Sequence, residues 1–116
     1  MTVPLHEAKA EFFRMLGHPV RIRILELLQD GPLPVSALLA EIGVEPSALS
    51  QQLAVLRRSG AVISARDGAT KTYQLAFADV AELLGAARRI LTELLAGQQV
   101  LLTALREVDD NAPALR

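Results

Sequence analysis

Residues 35–60, VSALLAEIGVEPSALSQQLAVLRRSG, are the segment that most restricts the possible folds of this chain. Apolar residues recur at helical spacing on both sides of a short break, which indicates two short helices. Gly43 permits the left-handed conformation that ends the first helix, and Pro46 suits the first turn of the second. Two short helices joined by a turn that contains glycine form a helix-turn-helix pattern. We therefore predict a helix-turn-helix over residues 36–59.

The second of these helices, over residues 47–59, has two chemically different faces. On a helical wheel of about 100° per residue, Leu53 and Leu56 lie within about 40° of Leu49, and these leucines predict the buried face. The polar and basic residues of this helix are Ser47, Ser50, Gln51, Gln52, Arg57 and Arg58. Glutamine and arginine can make bidentate contacts with base edges, and the short serine hydroxyls let a helix approach closely. The same residues also suit a solvated surface, so this helix alone leaves both interpretations open.

A change of period after Gly60 predicts a β-hairpin over residues 61–75. Residues 61–66 and 71–75 favour strands, and the sequence DGAT between them favours a turn. Arg66 and Lys71 flank that turn, where they could reach phosphates or the minor groove of a duplex. A hairpin that follows a helix-turn-helix forms a wing. We therefore predict a winged helix-turn-helix, a mainly α (α+β) fold whose β-structure is one two-stranded hairpin.

Two amphipathic helices flank this unit. Residues 4–16 place apolar residues at steps of three and four, and residues 79–107 keep a heptad seam for more than three repeats. A helix of about 28 residues spans roughly 42 Å, more than a domain of this size needs internally, so the seam predicts a homodimer interface. Its predicted residues are Leu84, Leu91, Leu94, Leu101 and Leu105. We expect a single domain over residues 1–108, followed by a flexible tail over 109–116.

Charge is unevenly distributed along the 116 residues, although the net charge is only -1. Residues 46–74 carry four basic residues against one acidic residue, a net charge of +3, and the remainder carries eight against twelve, a net charge of -4. Such a basic segment can attract a polyanion, because screening lets near charges dominate over roughly 8 Å. No cysteine is present, which excludes disulfides and thiolate chemistry. No signal segment or run of about 18 apolar residues is present, so we expect a soluble cytoplasmic protein.

Three phrases carry a resemblance to a known family: LGHPVRIRILELL (residues 16–28), SALSQQLAVLRRSGAV (47–62) and ARDGATKTYQL (65–75). From about residue 12 to residue 75, the chain resembles the ArsR/SmtB family of bacterial winged-helix regulators. The resemblance implies a homodimer joined through the first and last helices, which adds Leu5 and Phe12 to the interface. It also implies a repressor that binds a roughly palindromic operator and is released by a signal.

The resemblance also draws attention to missing metal ligands. Some family members bind metal through thiolates of the first helix of the helix-turn-helix, but residues 36–42 contain no Cys or His. Others use Asp, His and Glu on the last helix, but residues 79–108 contain no His. We therefore predict no cofactor and no metal site of the usual kinds. His18 is expected to cap or pack ahead of Pro19, and an atypical zinc site, formed by the two histidines His6 and His18 with Glu7 or Glu11 across a dimer, is kept as an alternative.

These patterns together predict a dimeric DNA-binding transcriptional regulator. Ser47, Ser50 and Gln51 are assigned to base contacts. Contacts with phosphates or a groove are assigned to Gln52, Arg57, Arg58, Arg66 and Lys71. The alternative is a winged-helix module that binds another protein and no operator, and a small-molecule effector of either is left open. We do not expect an enzyme, because the sequence has no Gly-rich phosphate loop and no plausible Ser/His/Asp set.

Overall fold

Five helices and three short strands make up the described part of the protein. The computed structural model describes the backbone of residues 2–111 and the side-chain environment of residues 2–107. In chain order the elements are α1 (Leu5–Leu16), α2 (Pro19–Leu27), a 3₁₀ turn (Leu28–Asp30), β1 (Leu33–Pro34), α3 (Val35–Ile42), α4 (Pro46–Arg58), β2 (Val62–Asp67), β3 (Thr70–Leu75) and α5 (Asp79–Asn111). The chain divides into two compact units, Met1–Leu84 and Gly85–Arg116, which are described separately.

Local sequence signals set the ends of the helices around the helix-turn-helix. Gly43 ends α3 with a φ of 73°, and its N–H donates to the Leu39 carbonyl at 3.0 Å. Pro46 occupies the first position of α4, where its missing N–H removes no helical hydrogen bond. His18 caps α2, because its Nδ1 accepts a hydrogen bond from the Val20 N–H at 3.2 Å. The helix-turn-helix and the capping role of His18 agree with the sequence interpretation.

The sheet contains the predicted hairpin and one strand that was not predicted. Strands β2 and β3 pair antiparallel around a two-residue turn, in which Gly68 has a φ of 64°. Strand β1 pairs antiparallel with β3, so the order is β1-β3-β2 and the wing sheet has three strands, not two. Residues 31–34, GPLP, are rich in residues that interrupt helices and strands, so no strand is predicted there. Pro34 is nevertheless tolerated, because β1 is an edge strand and proline there removes no internal ladder bond.

A single leucine-rich core holds the first unit together. Leucines from helices α1 to α4 meet in it, and their side chains are almost completely inaccessible to solvent. The buried residues are Leu16, Ile24, Leu25, Leu28, Leu38, Leu49, Leu53, Leu56, Ala61, Val62, Tyr73 and Val80. Because residues of α2, α3, α4 and the sheet all contribute, the core fixes the helix-turn-helix against the base of the wing.

Helix α5 is longer than the sequence indicates. It begins at Asp79, as expected, but runs to Asn111, four residues beyond the predicted end at 107. The first residues of the predicted tail are therefore helical, since the next helix-breaking residue of the sequence is Pro113. Residues 112–116 of that tail lie outside the described residues. No helix among the described residues combines the length and hydropathy that crossing a bilayer requires.

Gly43 gives a direct test of the turn between α3 and α4. An added Cβ at Gly43 would meet no atom within 4 Å, so any cost of Gly43→Ala comes from the left-handed backbone alone. We expect Gly43→Ala to lower the free energy of unfolding by roughly 1–2 kcal/mol in urea denaturation. Gly43→Asn should cost less, because asparagine tolerates this conformation better. Equal stability of wild type and Gly43→Ala would contradict the account of this turn.

Candidate nucleic-acid interface

Helix α4 presents its polar residues to solvent because its leucines are buried in the core. Leu49 and Leu56 are completely buried and Leu53 is 2% exposed, which fixes the rotation of the helix about its axis. The polar side chains opposite the leucines, Ser47, Gln51 and Arg58, and those on one flank, Ser50 and Arg57, are all exposed. The result is a continuous surface of hydroxyl, amide and guanidinium groups, which we call the α4 polar face.

Gln52 differs from the other polar residues of this helix. It is half-buried, and its Oε1 accepts a hydrogen bond from Nε of Arg21 in α2, at 2.7 Å. Arg21 also donates from Nη1 to the backbone carbonyl of Met15 at 2.9 Å. The amide oxygen of Gln52 is therefore committed within the protein, whereas the neighbouring Gln51 is exposed. Sequence reasoning missed this bond because its partners are 31 positions apart.

The wing brings its two cations together. Arg66 of β2 and Lys71 of β3 are directly opposite each other in the strand register, beside the turn. Like charges at opposed positions repel and destabilise a hairpin unless an anion lies near them. Lys71 is half-buried, with its Nζ 5.3 Å from the centroid of the Tyr73 ring, whereas Arg66 is exposed. This pair gives the wing a local positive charge suited to a phosphate.

The basic residues of α4 and the wing are not neutralised by acidic neighbours. Among the described residues, Arg57, Arg58, Arg66 and Lys71 form no ion pair, whereas Arg14 pairs with Glu11 and Arg23 pairs with Glu26. The net charge of +3 over residues 46–74 is therefore exposed to a partner. Guanidinium and ammonium groups without an acidic partner, beside a polar helix, are suited to binding a sugar–phosphate backbone.

The histidines do not converge with acidic residues. Within residues 2–107, no three His, Asp or Glu side chains lie close enough together to hold a metal ion. His18 uses its Nδ1 to cap α2, and His6 is exposed on α1. Within one chain, the described side chains thus offer no preformed metal site.

Known proteins share both this sequence and this fold. A family model described as a helix-turn-helix domain matches residues 16–64. The HTH-type transcriptional regulator Rv0081 of Mycobacterium tuberculosis is 50% identical over 104 residues, which cover 89% of this chain and 91% of Rv0081. Its crystal structure superposes with a TM-score of 0.75 over 84% of this chain and 98% of that one.

A solved homodimeric winged helix-turn-helix domain, Mb0332 of Mycobacterium bovis, is described as a possible ArsR-family regulator. It is 30% identical, with a TM-score of 0.69 over 78% of this chain and 84% of that one. The chain belongs to the ArsR/SmtB family of winged-helix transcriptional regulators. The transcriptional repressor BigR of Xylella fastidiosa is also similar, with 35% identity and a TM-score of 0.66 over 77% of this chain and 88% of BigR. These relatives are transcriptional regulators and not enzymes.

Membership of the ArsR/SmtB family confirms two interpretations of the sequence. The first is the resemblance carried by residues 16–28, 47–62 and 65–75, and the second is the winged helix-turn-helix with a long last helix. Both are correct apart from the third strand β1. As a member of this family, the chain has DNA as its expected partner.

Alanine substitution of the two adjacent glutamines of α4 is expected to change the free energy of unfolding by different amounts. Gln52→Ala removes the acceptor of a bond from a charged donor and should lower the free energy of unfolding by roughly 1–3 kcal/mol. Gln51→Ala removes an exposed side chain and should change it by less than about 0.5 kcal/mol. Urea denaturation of both variants measures the difference. Equal losses would show that the Arg21–Gln52 bond contributes nothing to folding.

Proposed function

We propose that this protein is a homodimeric repressor that binds a roughly palindromic operator through α4 and the wing. The observation that carries the proposal is the α4 polar face, which stands opposite a completely buried leucine stripe and beside cations that no described acidic residue neutralises. The repressor function is supported by one relative, BigR, the biofilm growth-associated repressor of Xylella fastidiosa. The proposed place of action is the cytoplasm, where such a regulator meets its operator.

The polar and basic residues divide into two functional groups under this proposal. Ser47, Ser50 and Gln51 lie on the first two turns of α4 and would enter the major groove to contact base edges. Arg57 and Arg58, on the last turn, would hold phosphates from the flank of the groove. Gln52 is assigned to the link with α2 rather than to DNA, because its amide oxygen already accepts from Nε of Arg21.

The wing would supply the second contact with the duplex. Arg66 and Lys71 face each other across β2 and β3, so a phosphate between them would relieve their repulsion. Arg66 has the greater freedom, since Lys71 is half-buried over the Tyr73 ring. We therefore assign phosphate attraction mainly to Arg66 and a supporting role to Lys71.

Helices α1 and α5 would join two copies. Large apolar side chains remain exposed on each helix considered by itself, which is unfavourable unless something covers them. Most predicted interface residues have at least 38% of their surface exposed: Leu5, Phe12, Leu91, Leu94, Leu101 and Leu105. Leu84 is different, because it packs partly against the core of its own unit. A homodimer is further supported by Mb0332, which is described as homodimeric.

Repression by this chain would not use the metal sites that are usual in the family. Neither α3 nor residues 79–108 of α5 provide cysteine or histidine ligands. If an effector releases the protein from its operator, it would have to act through another chemistry. The chemical class of any small-molecule effector is left undefined.

Two substitutions separate base reading from phosphate attraction. In competition binding with operator variants, Gln51→Ala should reduce discrimination at one base position by about 1–3 kcal/mol. Arg66→Ala should weaken binding to all sequences and reduce the slope of log K against log salt by about one. If a variant with alanine at positions 51, 58 and 66 bound the operator as wild type does, the assignment of α4 and the wing to DNA would be wrong.

The homodimer is tested by placing a charge on the seam of α5. Leu94→Glu buries a carboxylate in the proposed interface and should convert the dimer into a monomer, as measured by analytical ultracentrifugation. Ala96→Glu adds the same charge about 200° away on the helix and should leave the dimer intact. Retention of the dimer by Leu94→Glu would exclude this face of α5 as the interface.

A further inference from the structure

Arg21 connects three helices of the first unit. It belongs to α2, its Nε donates to Oε1 of Gln52 in α4 at 2.7 Å, and its Nη1 donates to the carbonyl of Met15 in α1 at 2.9 Å. All three groups are partly buried, and the partners are separated by 31 and 6 positions in the chain. One guanidinium therefore holds the end of α1 and the middle of α4 at the same time.

The bond to α1 completes the end of that helix. The last four carbonyls of a helix have no partner within it. At the end of α1, Phe13 and Arg14 accept from the Gly17 N–H, and Leu16 accepts from the His18 N–H. The carbonyl of Met15 receives its hydrogen bond from Arg21 instead. The side chain of Arg21 thus acts as part of the C-terminal cap of α1.

The bond to α4 fixes the orientation of the Gln52 amide. An arginine side chain is always charged and can only donate, so the atom that faces its Nε must be the amide oxygen. A hydrogen bond from a charged donor is stronger than one between neutral groups. With the oxygen engaged, Gln52 is unsuited to a bidentate contact with adenine, which requires both the oxygen and the nitrogen of the amide.

We propose that Arg21 is a positioning residue for operator binding, which holds the α4 polar face in register with α1 through Gln52. This inference rests on the proposed function, in which α4 reads the operator and α1 belongs to the dimer interface. A shift in the position of α1 would therefore move α4, because the Arg21 guanidinium is hydrogen-bonded to both helices. Lysine cannot replace it, because one ammonium nitrogen cannot reproduce two donors in the fixed fork of arginine.

A direct contact between Arg21 and a DNA phosphate is the competing explanation. The two roles differ in salt dependence and in sequence dependence. A phosphate contact contributes to binding of every sequence and to the salt slope, whereas positioning of α4 affects the operator more than random DNA. The ratio of operator affinity to affinity for random DNA therefore separates them, and a loss of stability alone would leave this ratio unchanged.

The test uses full-length Arg21→Met, Gln52→Met and the double variant, with binding measured on the operator and on random duplex DNA. Arg21 borders an open groove that is also lined by Met15, His18 and Val55, so methionine there leaves no enclosed cavity and the variants should fold. We expect each single variant to reduce the operator-to-random ratio roughly tenfold. The double variant should also reduce this ratio roughly tenfold rather than a hundredfold, since both changes remove the same Arg21–Gln52 hydrogen bond. The salt slope should stay unchanged.

Two conservative variants complete the experiment. Gln52→Glu keeps an acceptor for Arg21 and should retain the ratio of the wild type, whereas Arg21→Lys should resemble Arg21→Met. A salt slope reduced by about one in Arg21→Met, with losses that multiply in the double variant, would overturn positioning in favour of a phosphate contact. If Arg21→Met left the operator-to-random affinity ratio unchanged while Arg66→Ala still weakened binding, this inference would be wrong and the proposed function would stand. If the wild type bound no DNA, both would fail.

Discussion

The burial of three leucines of α4 is the interaction on which the rest of the structure depends. Leu49, Leu53 and Leu56 lie in the core with α2, α3 and the base of the wing, so the rotation of α4 is determined by packing. The polar face of the helix is a consequence, because residues on the far side of a buried stripe must face solvent. Removing one of these leucines would cost roughly 2–5 kcal/mol and release that orientation.

The basic surface and the exposed apolar surface lie on different elements, so DNA binding and dimerisation are proposed for different parts of the chain. The net charge of +3 lies within residues 46–74, on α4 and the wing, whereas the remainder of the chain is acidic. Exposed leucines occur instead along α5, where Leu91, Leu94 and Leu101 are each more than half exposed. One surface therefore suits a polyanion and the other suits an apolar partner. A symmetric pair of chains would present the first surface twice and cover the second.

Local signals allowed most of the fold to be predicted from the sequence. The periodicity of α4, the glycine at position 43 and the capping residue His18 each act within a few positions, so their effects are visible in the sequence itself. The strand β1 was missed because it has two residues and contains Pro34. The Arg21–Gln52 bond was missed because it depends on how α2 and α4 pack, which no local pattern encodes. The prediction that Gln52 contacts a phosphate or groove did not take account of this bond, which distinguishes Gln52 from the exposed Gln51.

The most direct test is a protection footprint of the purified full-length protein on the DNA upstream of its own gene. The account predicts two protected half-sites related by two-fold symmetry, with centres about one helical turn, or roughly 34 Å, apart. Protection should weaken steeply as salt is raised, because phosphate contacts release counterions. A dimer that protects no site at low salt, or that protects a single half-site without symmetry, would contradict the claim that α4 is a recognition helix presented twice.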